Sequence, residues 1–209
     1  MKGDIPYWLG SIKPPAFVDH PPDELHSNRL ARLLAIPDAY RLAVSRIKDK
    51  LDPDGSLFRA FRVSWHKSKE STFLWGPPGI GKSTAMGWAC IKEVASGGTV
   101  QWLNVQKIAD YIDQDKRKDH QNPLRFAVKA GLVVIDDAHR GCSEGKLRQI
   151  WPDHRNRLTA IINERYEQHK PVLMAGTCTL SEIAKPENFG EDILDRFKHK
   201  IEGTGGSYR

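Results

Sequence analysis

Residues 76 to 83 read Gly-Pro-Pro-Gly-Ile-Gly-Lys-Ser, and this stretch limits the fold of the chain more than any other. It fits the pattern G-x-x-x-x-G-K-[S/T], in which the glycines let the backbone turn with its N–H groups pointing inward. An apolar segment at 71–75 precedes it, and a helical pattern from Lys82 to about Ser96 follows it. A strand, a glycine-rich turn and a helix in this order predict a phosphate-binding loop.

This loop predicts how a nucleoside triphosphate and its metal would be held. The Lys82 ammonium would reach the β- and γ-phosphates, and the Ser83 hydroxyl would bind Mg²⁺. A Gly/Pro turn with a chance Lys-Ser pair is the alternative, which the flanking strand and helix disfavour. We therefore expect ATP and Mg²⁺ as cofactors. The predicted nucleotide-binding residues are Gly76, Pro77, Pro78, Gly79, Ile80, Gly81, Lys82, Ser83 and Thr84.

An acidic pair follows the buried-looking segment at 132–135, about fifty residues downstream of the loop. Asp136 would hold the metal through its bound water, and Asp137 would orient or deprotonate the water that attacks the phosphate. By itself the pair would fit a solvated acidic turn. The phosphate loop upstream makes a catalytic pair the better interpretation.

Strands and helices alternate through most of the chain. This alternation predicts an α/β fold in which helices cover both faces of a parallel sheet. Besides the segments above, strands are predicted at 99–104, within 130–138 and at 171–177, and helices at 105–115, 155–168, 179–185 and 190–197.

The N-terminal quarter has a different composition. Five prolines interrupt residues 1–28, and two short helices are predicted between 27 and 51, so that 1–55 reads as a small helical extension for docking a partner. Residues 56–70 are basic and aromatic and read as a linker, which leaves 71–209 as the ATPase domain.

The charge balance points to an anionic partner. The chain has 32 Lys and Arg against 26 Asp and Glu, a net charge of +6, and DNA is the commonest anionic partner of such chains. A basic surface without a target is the alternative.

The sequence also predicts a cytoplasmic protein that does not contact a membrane. It has no apolar run of transmembrane length, no signal peptide and no cysteine framework.

Three further segments follow the phosphate motifs: IINERY at 161–166, ILDRF at 193–197 and SYR at 207–209. In this order they resemble bacterial replicative helicase loaders of the DnaC/DnaI type and the IstB transposition helper ATPases, both of which are AAA+ proteins. The resemblance covers about residues 70–209. It implies a P-loop NTPase fold, a three-layer sandwich without the C-terminal helical lid of typical AAA+ modules.

The resemblance also implies roles for four residues. Thr177, where the family often has Asn, would hydrogen-bond a water or the γ-phosphate. Arg196 would be an arginine finger that reaches the nucleotide of a neighbouring subunit, and Arg209 would sense nucleotide. Arg165 would face a subunit interface. For each arginine the alternative is a surface charge or a carboxylate pair, with Glu164 or Asp195 as the carboxylate.

Two departures from the family pattern weaken these implications. Asp137 stands where the family has Glu, and its shorter side chain predicts slow hydrolysis. Asp192 stands where the loaders tend to have a further arginine, which weakens the implied contact between subunits.

DNA contacts are predicted in three basic segments. One is the run 116–118, which faces the central channel in oligomeric AAA+ initiators, and a solvated loop is its alternative. The second is 139–157, which looks like an insertion around Trp151, although Trp151 could instead pack beneath it. The third is 58–69. The candidate DNA-binding residues are Lys116, Arg117, Lys118, Lys146, Arg148 and Arg155.

Together these patterns predict an ATP-dependent, DNA-binding homo-oligomer that loads a replicative helicase and favours single-stranded DNA. An IstB-like regulator would instead bind duplex DNA and recruit a transposase. A nucleotide-gated binding module that hardly hydrolyses ATP is the third hypothesis.

Overall fold

The structure, a computed structural model, describes residues 36–37, 56–116, 122–138 and 146–204. Except for Ile36 and Pro37, the predicted extension at 1–55 lies outside these residues, and so do Arg117, Lys118 and Arg209.

In the described ranges, strands and helices alternate along the chain. They are α1 (Ser56–Ser68), β1 (Thr72–Trp75), α2 (Lys82–Ala95), β2 (Val100–Asn104), a 3₁₀ turn (Val105–Lys107), α3 (Ile108–Lys116), α4 (Pro123–Lys129), β3 (Leu132–Asp136), α5 (Lys146–Glu167), β4 (Val172–Gly176), α6 (Leu180–Ile183), α7 (Glu191–Leu194) and β5 (His199–Glu202).

The five strands form one parallel sheet in the order β2-β3-β4-β1-β5. Thr72 at the start of β1 pairs with His199 at the start of β5, and Trp75 at the end of β1 pairs with Gly176 and Glu202. The carboxyl ends of the strands therefore meet at one edge of the sheet, here called the carboxyl edge. The other edge is called the amino edge.

Successive strand residues face opposite sides of the sheet, because side chains alternate along a strand. Leu74, Trp102 and Val134 pack into a core with α1 and α2. Their neighbours Phe73 and Leu103 pack into a second core with α3, α4 and α5. These two apolar layers around one parallel sheet confirm the predicted three-layer sandwich.

The segment expected to be a basic aromatic linker is a helix, so that prediction was wrong. Helix α1 buries Leu57, Phe58, Phe61 and Trp65, which recur at helical spacing along one face. The Trp88 ring of α2 meets Phe58 and Phe61 with ring centroids 5.7 and 6.4 Å apart. These aromatic side chains belong to the core and are not available for stacking on DNA.

The predicted start of the helix before β4 is also corrected. Helix α5 begins at Lys146 and contains Pro152, whereas the sequence predicted its start near Arg155. Proline is disfavoured inside helices, so the pattern before it did not read as helical. The prediction missed helix α4 and strand β5 as well. No helix in the described part of the chain combines the length and hydropathy that crossing a membrane requires.

Candidate nucleotide-binding site

The predicted phosphate loop joins β1 to α2 at the carboxyl edge. Three of its glycines have positive φ angles, 134° at Gly76, 82° at Gly79 and 87° at Gly81, which residues with a Cβ rarely adopt. A Cβ on Gly76 would also lie 2.5 Å from the carbonyl oxygen of Gly203. The loop therefore needs glycine at Gly76 both for its backbone angle and for its approach to the end of β5.

Gly203 is a loop neighbour that the sequence reasoning missed. Its N–H donates to the carbonyl of Trp75 at 2.7 Å, and a Cβ at this position would collide with the side chains of Ile80 and Leu57. In the sequence, a glycine two residues beyond Ile201 does not by itself indicate a contact with the phosphate loop. Only the pairing of β5 with β1 brings it beneath the loop.

Lys82 begins α2 and folds back over the loop. Its Nζ donates to the carbonyls of Gly76 and Pro77, each at 2.7 Å. Burial lowers the pKa of Lys82, and the negative charges of Asp136 and Asp137 oppose that shift. No acidic residue lies in the first turn of α2, a helix that falls wholly within the described residues, so the positive end of its dipole is left for an anion.

Ser83 and Asp136 meet at the same edge. The Ser83 hydroxyl donates to Asp136 Oδ1 at 3.0 Å, and Asp136 is buried at the end of β3. A hydroxyl and a carboxylate are the hard oxygen donors that Mg²⁺ prefers. The two residues therefore fit the predicted metal, and the sheet order brings them together from positions far apart in the chain.

Asp137 and Thr177 directly follow β3 and β4, at the same edge of the sheet as this pair. Asp137 is half-buried with φ at 60°, and its N–H donates to Asp136 Oδ1 at 3.0 Å. The left-handed region is one that Asp tolerates better than most residues. Thr177 follows the last residue of β4, the strand between β3 and β1. The sheet order thus brings the phosphate loop and the acidic pair together, with Thr177 at the same edge.

Arg196 lies at the amino edge. It falls between α7 and β5, three residues before His199, which pairs with the first residue of β1. Strand β1 alone separates the two edges by about 10 Å, so Arg196 is on the side of the sheet away from its own phosphate loop. Its guanidinium carbon lies 4.3 Å from the centre of the Tyr166 ring.

Arg165 does not face a subunit interface, so this expectation was wrong. The side chain is fully buried and donates to four backbone carbonyls at 2.7–3.0 Å, and burial lowers its pKa to about 10. These carbonyls lie at the end of α4 and before β3 and β4, where the backbone lacks donors of its own. The acceptors are the carbonyl oxygens of Ala127, Ala130, Gly131 and Pro171.

The DNA candidates are dispersed. Arg155 Nη1 donates to the carbonyl of Pro186 at 2.5 Å, in a groove that Glu191 and Asp192 also line. Lys116 is the last residue of α3, and Lys146 and Arg148 belong to the first turn of α5, but their side chains lie outside the described part.

Helix α4 presents a surface that the sequence reasoning overlooked. It begins shortly after the basic run 116–118, and it exposes Arg125, Phe126 and Lys129, with half of the Phe126 side chain accessible. In the sequence, this surface is marked only by an aromatic residue beside cations on a short helix. That pattern predicts little until the buried face of the helix is known.

Comparison with known proteins agrees with this geometry. Residues 72–204, more than half of the chain, match the model of the AAA family, described as the ATPase family associated with various cellular activities. The chain belongs to the AAA family. No curated protein matches the chain.

Solved structures share the fold. The DnaC helicase loader matches with a TM-score of 0.59 and 17% identity over 80% of this chain and 100% of that one. DnaI matches with 0.59 and 15% identity over 78% and 89%. The replication initiator DnaA bound to AMPPCP and single-stranded DNA matches with 0.53 and 17% identity over 79% and 45%. The chain spans about half the length of the replication initiation proteins that it matches.

Proposed function

We propose that this AAA protein binds and hydrolyses ATP at sites shared between copies of the chain, and acts on DNA as a loader of a replicative helicase. One observation carries the proposal. The phosphate loop with its acidic pair lies at the carboxyl edge of the sheet, whereas Arg196 lies at the amino edge. A single copy therefore has both halves of an ATPase site but cannot bring them together.

Within one copy, the loop would bind the triphosphate. The inward N–H groups and the α2 terminus would hold the phosphates, and Lys82 would exchange its two carbonyl acceptors for β- and γ-phosphate oxygens. Ser83 and Asp136 would hold Mg²⁺, which when bound neutralises phosphate charge. Asp137 would orient the attacking water, Thr177 would bind that water or the γ-phosphate, and the short Asp137 side chain would make turnover slow.

A neighbouring copy would supply Arg196. Its guanidinium cannot reach the loop of its own chain, but in a head-to-tail assembly the amino edge of one copy would meet the carboxyl edge of the next. Such an interface is heterologous and produces rings or helical filaments. The finger would then stabilise charge on the transferred phosphoryl group only when copies assemble.

Single-stranded DNA is the polymer that the described surface favours. An exposed aromatic ring next to two cations, as at Phe126, suits base stacking together with phosphate contacts. This surface follows the predicted DNA segment 116–118, and the net charge is +6. The folds of the DnaC helicase loader and of DnaA solved with single-stranded DNA support a replication role.

ATP turnover and particle mass test the proposal, measured with ATP and Mg²⁺ without DNA, with single-stranded DNA and with duplex DNA. We expect single strands to drive both assembly and turnover. Strictly monomeric protein under all three conditions would contradict the shared site. Assembly driven by duplex alone would contradict the loader role and favour the IstB-like regulator. Assembly with ATP bound but without turnover would leave the nucleotide-gated binding module.

The DNA surface has its own test. We expect Phe126→Ala to weaken binding of single-stranded DNA by about tenfold, since one stacked base contributes roughly 1–3 kcal/mol. Val63→Ala is the matched control, because Val63 is also an exposed apolar residue but lies on α1. Equal affinities of the two variants would place the DNA elsewhere.

A further inference from the structure

Arg196 is held by an aromatic ring. Its guanidinium carbon lies 4.3 Å from the ring centre of Tyr166, well within the range of a cation–π contact. Within the described part of the chain, the buried Nε of Arg196 has no hydrogen-bond acceptor. Among the described residues, this side chain contacts a ring face, which limits the plane of the guanidinium without occupying its outer N–H groups.

The ring itself sits on a rigid support. Tyr166 directly follows Arg165, whose four bonds to backbone carbonyls tie the end of α5 to α4 and to the segments before β3 and β4. Tyr166 nevertheless leaves 47% of its side chain exposed at the amino edge. An aromatic residue that is both rigidly mounted and half exposed can present a cation to a partner with little loss of conformational entropy.

We propose that Tyr166 is a positioning residue for Arg196, which it holds in the orientation that reaches the nucleotide of a neighbouring copy. This inference rests on the shared ATP site proposed above. Tyr166 does not contact the nucleotide in this account. Its effect passes through Arg196 alone, and it requires the ring rather than the hydroxyl.

Four full-length variants test the inference under the conditions that give assembly: Tyr166→Ala, Tyr166→Phe, Arg196→Ala and the double variant Tyr166→Ala/Arg196→Ala. For each variant, kcat and KM for ATP, the affinity for a non-hydrolysable ATP analogue and the thermal unfolding midpoint are measured. We expect Tyr166→Ala to lower kcat about fivefold, the value of a partly exposed cation–π contact. Analogue affinity should stay within about twofold of the starting protein, because the ring is remote from the loop of its own chain.

The conservative variant and the double variant separate positioning from a general structural effect. Tyr166→Phe retains the ring and should keep the full kcat. In the Arg196→Ala background, loss of the ring should lower kcat no further, since its effect requires the guanidinium.

Each contrary result has a distinct meaning. An Arg196→Ala variant with unchanged kcat would overturn the shared site, and the inference with it. A reduced Arg196→Ala rate beside an unchanged Tyr166→Ala rate would overturn the positioning role alone. Equal losses for Tyr166→Phe and Tyr166→Ala would assign the effect to the hydroxyl, and an additive double variant would assign it to structure, so either result would contradict the inference.

Discussion

The two edges of the sheet are built in different ways. At the carboxyl edge, Lys82, Ser83 and Asp136 are tied to the loop or to each other by short hydrogen bonds, and the groups belong to one copy. At the amino edge, Arg196 contacts the Tyr166 ring and lies before the start of β5, at the other end of the strands from that cluster. In the proposed function, the first edge binds the triphosphate within one copy, while the second acts only on the nucleotide of a neighbouring copy.

Two arginines near the amino edge make the same contrast on a smaller scale. Arg165 and Arg196 both read as candidates for subunit contacts in the sequence. Arg165 is fully buried under four carbonyls, whereas Arg196 is partly exposed. Substitutions at the two edges, and at these two arginines, should therefore affect different properties of the protein.

The largest effect is expected at the amino edge. Arg196→Ala should lower kcat for ATP by about 10³-fold, as loss of an arginine finger does, with ATP affinity nearly unchanged. Steady-state turnover and analogue binding measure the two quantities. Lys198→Ala is the matched control, because it removes an exposed cation two residues away. Equal losses of kcat in the two variants would show that charge at this loop, rather than the Arg196 guanidinium, matters.

The second-largest effect on turnover is expected at the carboxyl edge. Asp137→Asn should lower kcat by about 10²-fold, since it removes the carboxylate that would orient the water. Asn has the same shape and also tolerates the left-handed backbone found here, so the fold and ATP affinity should persist. Single-turnover hydrolysis checks this prediction. An unchanged rate would mean that Asp137 takes no part in the reaction.

Arg165 should affect stability and not the chemical step. Arg165→Met should lower the free energy of unfolding by about 3 kcal/mol, because four buried carbonyls lose their charged donor. Urea unfolding measures this loss, with Arg62→Met on the exposed face of α1 as the control. The pKa of Arg165 is lowered to about 10, so it stays protonated near neutrality and the loss should be the same across the neutral pH range. A loss equal to that of the control would contradict the buried role.

The smallest effect is expected at the cap of α6. Thr179→Ala should cost about 1 kcal/mol of stability, because the Thr179 hydroxyl and the Glu182 carboxylate cap the helix reciprocally. These hydrogen bonds lower the pKa of Glu182, so their contribution is present at neutral pH and is lost as the pH falls through the folded-state pKa. The difference between variant and starting protein should therefore shrink in acid. A difference that is independent of pH would contradict the link to Glu182.

Much of the carboxyl edge could be predicted because its information is local. The loop, its lysine and the acidic pair are contiguous motifs, and alternating strands and helices were enough to predict the layers. The amino edge depends on distant contacts. The burial of Arg165 depends on carbonyls in α4 and before β4. Neither the contact of Arg196 with Tyr166 nor the approach of Gly203 to the loop follows from spacing.

Amino-acid composition is a poorer guide to helices in this chain than periodicity. The segment 56–70 was judged by its basic and aromatic content, although Leu57, Phe61 and Trp65 form a helical face. The start of α5 was missed because Pro152 counted as a breaker. For α1, the apolar face that packs against α2 is the feature that predicts the helix.

Complementation between two inactive variants tests the shared site most directly. Lys82→Ala subunits should not hold ATP but would still present Arg196, and Arg196→Ala subunits should hold ATP but lack the finger. Each alone should be nearly inactive. An equal mixture should recover about a quarter of the starting turnover, because random head-to-tail assembly gives the productive order at about one interface in four. A mixture as inactive as its components would contradict a site built from the opposite edges of two copies.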